Sequence, residues 1–189
     1  MKTNSHPKKT NKSIGLFGAS FNPPHNGHLA VLSDLAKLSI FDEIWAVPVF
    51  SHAFGKKLES FEHRLNMLKL LLAEIPIHKI HISTIEQELN KSPTYTFDVV
   101  SALKERHPDI EFHLIVGSDI KNELDKWHRI QELRNISPFY FIAREGYEHS
   151  KYPEVSSSDI RDKITQHANI THLVPAKIAE YIQIHHLYQ

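Results

Sequence analysis

Two histidines three residues apart, His25 and His28, follow a short apolar run and a turn that is rich in small residues and proline. Small residues such as Gly18 let a ligand approach the backbone closely, and the prolines stiffen the turn. His28 falls in the first turn of a predicted helix, and side chains three residues apart share a helix face. A helix start presents free N–H groups and a partial positive charge, so both imidazoles would converge on a bound anion there. The segment therefore predicts a phosphate site.

Simpler explanations exist for this histidine pair. In an arbitrary loop of this kind, the two side chains more often cap the helix or satisfy nearby carbonyls. A zinc site would need a third ligand and usually the glutamate of His-Glu-x-x-His, which the segment lacks, so no metal site is predicted on the protein. The turn matches neither Gly-x-Gly-x-x-Gly nor Gly-x-x-x-x-Gly-Lys-Ser/Thr, which disfavours an ordinary dinucleotide dehydrogenase and a P-loop enzyme.

Five short apolar runs alternate with helical patterns along the chain. Strands alternating with helices, and apolar on both faces, predict an α/β fold: a Rossmann-like, doubly wound parallel five-stranded sheet with helices on both faces and a C-terminal helical extension. The strands are predicted near residues 14–17, 44–47, 79–82, 112–116 and 139–143. The helices are predicted near residues 29–38, 65–75, 96–106, 120–131, 157–166 and 175–185.

Parallel sheets of this kind bind ligands beyond the carboxyl ends of the strands, where the strand order reverses. The first predicted strand ends at Gly18 and the fourth ends at Gly117, so function is expected at these two turns. Asp119 follows the fourth strand and could accept hydrogen bonds from a ribose, with helix capping as the alternative.

Length, charge and cysteine content limit the number of domains, the kinds of partner and the compartment that can be expected. The 189 residues predict one domain at 13–189, preceded by a disordered basic lead-in at 1–12. Lys plus Arg and Asp plus Glu both number 22, which gives no electrostatic reason to expect nucleic acid or membrane as a partner. No apolar run approaches the roughly 20 residues of a membrane span. The absence of cysteine excludes disulfides and is compatible with the cytoplasm.

The histidine segment resembles the Gly-x-Phe-Asp/Asn-Pro-x-His-x-Gly-His signature of the HIGH nucleotidyltransferase superfamily, whose histidines contact the phosphates of ATP. The stretch from Val155 to Arg161 is a serine cluster before a helix and taken alone is explained by capping. It is similar, however, to the superfamily's Ile-Ser-Ser-Thr-x-Ile-Arg element, which holds the β- and γ-phosphates. The resemblance implies that His25, His28 and Arg161 are catalytic. The implied ATP-binding residues are Gly18, Ser20, Phe21, His25, His28, Gly117, Asp119, Ser157, Ser158 and Arg161.

Three weaker segments resemble the nicotinate and nicotinamide mononucleotide adenylyltransferases within this superfamily. Thr94-Tyr95-Thr96 is similar to their Ser-Tyr-Thr element, and 117–119 with 126–129 is similar to their Gly-Ala-Asp and Lys-Trp-His elements. The indole of Trp127 could stack on a pyridine ring, with a core tryptophan as the alternative. The pyridine-nucleotide residues implied by the resemblance are Ser20, Phe21, Lys56, Thr94, Thr96 and Trp127.

The resemblance leaves the choice of pyridine nucleotide open. Bacterial members that use nicotinate mononucleotide commonly carry Pro-Pro-His-Lys after the second strand, whereas this chain has a loop ending in Gly55-Lys56-Lys57. That loop and Asn22 look more like the forms that use nicotinamide mononucleotide. A solvated role for the lysine pair is the ordinary alternative. Oligomeric state is open as well, with a homo-oligomer among the options.

The resemblance implies transfer of AMP from ATP to a pyridine mononucleotide in NAD biosynthesis, with Mg²⁺ carried by the ATP phosphates. One rival is pantetheine-phosphate adenylyltransferase, which has the same first motif but no need for Trp127 or Thr94-Tyr95-Thr96. A second rival is a non-catalytic nucleotide-binding regulator, which would bind ATP or a dinucleotide without releasing pyrophosphate.

Overall fold

The computed structural model describes residues 12–51, 58–142 and 152–189, and its centre is a sheet of five parallel strands. The sheet order is β3-β2-β1-β4-β5, so the order reverses between β1 and β4. This confirms the predicted sheet, and it brings the turns after β1 and β4 side by side. The strands are Lys12–Ala19 (β1), Glu43–Pro48 (β2), Ile80–Ile82 (β3), Ile110–Gly117 (β4) and Phe139–Ile142 (β5). Of the predicted lead-in at residues 1–12, the part at 1–11 lies outside the described residues.

Helices cover both faces of the sheet, as predicted. One face carries α1 (Asn26–Lys37), α2 (Phe61–Leu72), α6 (Ser157–Thr165) and α7 (Ala176–Ile184). The other carries α3 (Ile85–Leu89), α4 (Thr96–Arg106), a 3₁₀ helix (Ser118–Lys126) and α5 (Ile130–Ile136). Strand residues alternate between the two cores: in β1, Ile14 and Leu16 face the second group and Phe17 faces the first.

The segment at 120–131 departs from the prediction of one continuous helix. A 3₁₀ helix ends at Lys126, Trp127 is extended, Arg129 is left-handed with φ of 54°, and α5 starts only at Ile130. Side chains three residues apart lie on the same side of a 3₁₀ helix, which suits Leu124 and Trp127. The break leaves Trp127 at the rim of the sheet, where it lines a cavity.

Two smaller differences concern the end of one helix and the presence of another. The helix predicted to reach Ile75 ends at Leu72, although Ile75 is still buried in the core. The short helix α3 was not predicted, because five residues are too few to show a helical period. Within the described ranges, no helix is long and apolar enough to cross a bilayer.

Candidate active site

The two histidines form a capping box at the start of helix α1. His25 is the N-cap residue, and its Nδ1 accepts a hydrogen bond of 3.1 Å from the Gly27 N–H. The Nδ1 of His28 accepts one of 3.2 Å from the His25 N–H. In a neutral imidazole, a nitrogen that accepts leaves the ring proton on the other nitrogen, so this pattern assigns the proton of both rings to Nε2. Capping and anion binding are therefore compatible: Nδ1 does the first and Nε2–H can do the second.

Packing fixes where these rings lie. Their centroids are 3.8 Å apart, and the His28 ring also packs on the fully buried Phe21 at 4.9 Å. A Cβ added at Gly27 would lie 3.0 Å from two ring atoms of His25 and 3.2 Å from Val155. Any larger residue at Gly27 would displace the His25 ring, so the second glycine of the segment is a steric requirement.

The start of helix α6 is bonded to the turn between β1 and α1. The Ser157 hydroxyl donates to the Pro23 carbonyl at 2.9 Å, and Nη1 of Arg161 donates to the Asn22 carbonyl at 2.7 Å. Nη2 of Arg161 also donates to the Ser158 hydroxyl at 3.2 Å. The predicted phosphate-binding segments, separated by more than a hundred residues in sequence, thus form two walls of one site.

Ser156 caps helix α6, which agrees with the capping role that the sequence gave to the serine cluster. The Ser156 hydroxyl accepts from the Asp159 N–H at 3.1 Å, while the Asp159 side chain is exposed. Because Ser156 caps the helix, the hydroxyls of Ser157 and Ser158 can instead bond to Pro23 and Arg161. The helix presents its amino end and partial positive charge to the site.

One cavity of about 410 Å³ joins these walls to the carboxyl end of β4. It contains most of the residues that the sequence predicted for ATP and pyridine-nucleotide binding. The predicted residues that line it are Gly18, Ser20, His25, His28, Gly117, Asp119, Trp127, Ser157, Ser158 and Arg161.

Three predicted residues that the structure describes, Phe21, Thr94 and Thr96, are not among those that line the cavity. Phe21 supports the His28 ring from below. The Thr94 hydroxyl is turned to the Lys91 carbonyl at 2.9 Å, and Thr96 is the first residue of α4. Lys56 lies outside the described residues. Their roles in ligand binding stay predictions.

The two segments predicted to bind the pyridine end of the substrate lie side by side. The Tyr95 ring stacks on the His128 ring, with centroids 4.3 Å apart, and the Arg129 guanidinium lies 3.7 Å above the Phe97 ring. Trp127 is half-buried and lines the cavity, and its ring centroid lies 6.4 Å from that of Phe139. It is therefore neither a free surface indole nor a fully buried core residue.

A buried arginine joins the loops around the site and was missed in the sequence. Arg64 is 1% exposed, and its guanidinium donates to the carbonyls of Ser20 and Val49, both at 2.7 Å, and of Glu59 at 2.9 Å. Burial lowers the pKa of Arg64, which nearby Glu86 partly offsets. Its position on the apolar face of α2, four residues before the buried Leu68, was the signal that could have identified it.

Asn22 has a structural task within the turn. Its side-chain oxygen accepts from the Glu59 N–H at 3.1 Å and from the Tyr188 hydroxyl at 3.0 Å, and the residue is 2% exposed. These contacts account for Asn22 without a role in choosing between pyridine nucleotides. No periodicity or motif in the sequence predicted the contact with Tyr188.

Comparison with known proteins agrees with this geometry. The family model described as cytidylyltransferase-like matches residues 16–163. A probable nicotinate-nucleotide adenylyltransferase of Bacillus pumilus (strain SAFR-032) is 36% identical over 190 residues, which cover 94% of this chain and 99% of the relative. The nicotinate-nucleotide adenylyltransferase of Bacillus subtilis (strain 168) is 35% identical with the same coverage.

A solved structure gives the same result at the level of the fold. Plasmodium falciparum nicotinic acid mononucleotide adenylyltransferase complexed with NaAD superposes with a TM-score of 0.80 at 25% identity, covering 94% of this chain and 97% of the other. The resemblance seen in the motifs is confirmed over nearly the whole sequence. The chain therefore belongs to the cytidylyltransferase-like family and, within it, to the nicotinate-nucleotide adenylyltransferases.

Proposed function

We propose that this adenylyltransferase joins nicotinate mononucleotide to the AMP part of ATP. A phosphate oxygen of the mononucleotide attacks the α-phosphorus of ATP in line, and the bond from that phosphorus to the β-phosphate oxygen breaks. The products are nicotinate adenine dinucleotide and pyrophosphate. The observation that carries the proposal is the single cavity in which His25, His28 and Arg161 meet Trp127. The names of the relatives favour the acid over the amide substrate.

The proposed chemistry needs alignment and charge neutralisation more than proton transfer. The attacking phosphate is already an anion at neutral pH, so no general base is required. Nε2–H groups of His25 and His28 would donate to the α-phosphate as charge builds there. Arg161 and the amino end of α6, with Ser157 and Ser158, would hold the departing pyrophosphate.

Mg²⁺ would be carried by the ATP phosphates and would neutralise part of their charge. Such ions are bound largely through phosphate oxygens and water, with few protein carboxylates. The residues that line the cavity fit this arrangement: Asp119 is the carboxylate among them, and no three His, Asp or Glu side chains of the described segments cluster closely enough to hold a metal by themselves.

The pyridine mononucleotide would lie at the other end of the cavity. Trp127 lines the cavity and would offer the face of its indole there, with Phe139 packed beside it. Asp119, which lies in the first turn after β4 and was predicted to bind ATP, would accept hydrogen bonds from a ribose. A phosphopantetheine substrate would have no ring for Trp127 to contact, so the indole favours a pyridine nucleotide over the rival substrate.

A pyrophosphate-release assay with ATP and three separate acceptors tests the proposal. We expect release with nicotinate mononucleotide at a kcat/KM at least about tenfold above that with nicotinamide mononucleotide, and none with phosphopantetheine. A preference for the amide would contradict the substrate choice while leaving the reaction class intact. Release with phosphopantetheine alone would overturn the pyridine assignment, and no release with any acceptor, despite ATP binding, would indicate a regulator.

A further inference from the structure

The residues at 185–189 after helix α7 fold back onto the phosphate site. Leu187 is buried in the core, and its N–H donates to the Ile182 carbonyl at 3.1 Å. Tyr188 follows in a left-handed conformation with φ of 64°, and its hydroxyl donates to the Asn22 side-chain oxygen at 3.0 Å. The turn that carries the two histidines is thus contacted by a residue 166 positions later in the sequence.

Asn22 links this tyrosine to the arginine of the phosphate site. Its side-chain oxygen accepts hydrogen bonds from the Tyr188 hydroxyl and the Glu59 N–H. Its backbone carbonyl accepts a hydrogen bond of 2.7 Å from Nη1 of Arg161. A residue whose side chain is fixed at two points has little freedom to turn its carbonyl. The direction in which Arg161 points therefore depends on a side chain with which it shares no direct hydrogen bond.

The tyrosine hydroxyl remains a donor throughout the working pH range. Burial raises the pKa of Tyr188, and the nearby carboxylate of Glu59 raises it further, so the hydroxyl keeps its proton. Asn22 is itself 2% exposed, which means that water cannot easily replace the lost donor if the hydroxyl is removed. The Tyr188 hydroxyl can therefore donate to Asn22 at neutral pH.

We propose that Tyr188 is a positioning residue for the reaction: through Asn22 it fixes the Arg161 guanidinium where the leaving pyrophosphate is held. The role assigned to Arg161 comes from the proposed function, and the inference rests on it to that extent. Tyr188 itself is not expected to touch either substrate.

The variant Tyr188→Phe removes the hydroxyl and keeps the ring. We expect kcat for dinucleotide formation to fall about three- to tenfold, the size associated with one buried hydrogen bond, while KM for nicotinate mononucleotide stays unchanged. The affinity for α,β-methylene ATP, which cannot transfer its adenylyl group, should weaken by a similar factor in calorimetry.

Tyr181→Phe is the matched control. The Tyr181 hydroxyl, on helix α7 just before this segment, is also partly buried, but it bonds to His63 and Asn66 and not to Asn22. It should lose stability to a comparable degree while kcat and analogue affinity stay at the wild-type level. Equal kinetic loss in both tyrosine variants would show a general structural effect and overturn the proposal.

A double-mutant cycle with Arg161→Ala separates positioning from independent damage. If Tyr188 acts through Arg161, Tyr188→Phe should weaken analogue binding in the wild type but have no further effect when Arg161 is absent. The same loss in both backgrounds would overturn the proposal. The analogue measurement needs no turnover, so it tests the positioning role even if the wild type releases no pyrophosphate. Failure to release pyrophosphate would count against the proposed reaction alone.

Discussion

The rings of His25 and His28 pack against each other at 3.8 Å while each uses Nδ1 to accept a backbone N–H at the start of α1. Reciprocal capping by two imidazoles fixes both the ring positions and the tautomers, so two Nε2–H donors are set before any ligand arrives. Preorganised donors of this kind stabilise developing charge without a cost of reorganisation during the reaction. In the proposed mechanism, the capping bonds are thus part of the catalytic arrangement.

Replacing His28 by alanine should therefore affect turnover far more than folding. We expect kcat for pyrophosphate release to fall about a hundredfold or more, as for loss of one preorganised donor. Stability should fall by about 1 kcal/mol, because the hydrogen bond from the His25 N–H to the His28 ring is lost. Exposed His78 provides the control, since His78→Ala should change neither quantity. Wild-type turnover by His28→Ala would remove His28 from the mechanism.

Trp127→Leu tests the pyridine end of the cavity. The substitution keeps an apolar side chain beside Phe139 but removes the flat face of the indole. KM for nicotinate mononucleotide should rise by roughly an order of magnitude, whereas KM for ATP should change little. Steady-state kinetics with each substrate varied in turn make this comparison. A rise only in KM for ATP would show that the pyridine ring binds elsewhere.

Arg64→Met should destabilise the protein by about 3 kcal/mol or more, because the carbonyls of Ser20, Val49 and Glu59 lose a buried donor. Urea unfolding of the full chain measures the difference. Lys69→Met on the exposed side of the same helix is the matched control and should stay within about 0.5 kcal/mol of the wild type. Equal stability of the two variants would show that the three contacts contribute little.

Glu86 should give the stability a definite pH dependence. Burial raises the pKa of this carboxyl from 4.5 to about 7, although the Phe50 N–H and Arg64 partly oppose the rise. The folded protein therefore binds the proton more tightly than the unfolded chain does. The contribution of this group is most favourable below pH 4.5 and is lost as pH rises through about 7, a change of about 3 kcal/mol.

Glu86→Gln should remove this dependence, because the amide oxygen can still accept from Phe50 without carrying charge. Relative to the wild type, the variant should gain stability between pH 4.5 and 8 in urea unfolding. Glu88, on the same helix, is the control of opposite sign, because hydrogen bonds from Arg106 and Thr84 lower its pKa. The wild type should therefore gain stability over Glu88→Gln as pH rises through the acidic range. Parallel pH profiles for Glu86→Gln and the wild type would contradict the assignment.

Much of this architecture was predictable because its signals are local. Apolar runs and helical spacing report which face of a segment is buried, and they predicted all five strands and the longer helices. The short spacing of His25 and His28 likewise predicted a helix start with two imidazoles on one side. Helix α3 and the break before Trp127 were not predictable in this way, since a few residues carry too little periodicity to choose one helix type over another.

By itself, the sequence determined the order of elements, the two turns where ligand binding is expected and the residue types that are predicted to bind phosphate. The tertiary structure decided which distant groups hold that site together. Arg161 and Tyr188 are hydrogen-bonded to Asn22 although they lie 139 and 166 residues later in the sequence. Arg64 donates hydrogen bonds to three separate carbonyls. The physical reason is that such bonds depend on how helices α2, α6 and α7 cross one face of the sheet. That packing is set by the complementarity of whole surfaces, and no short pattern in the chain records it.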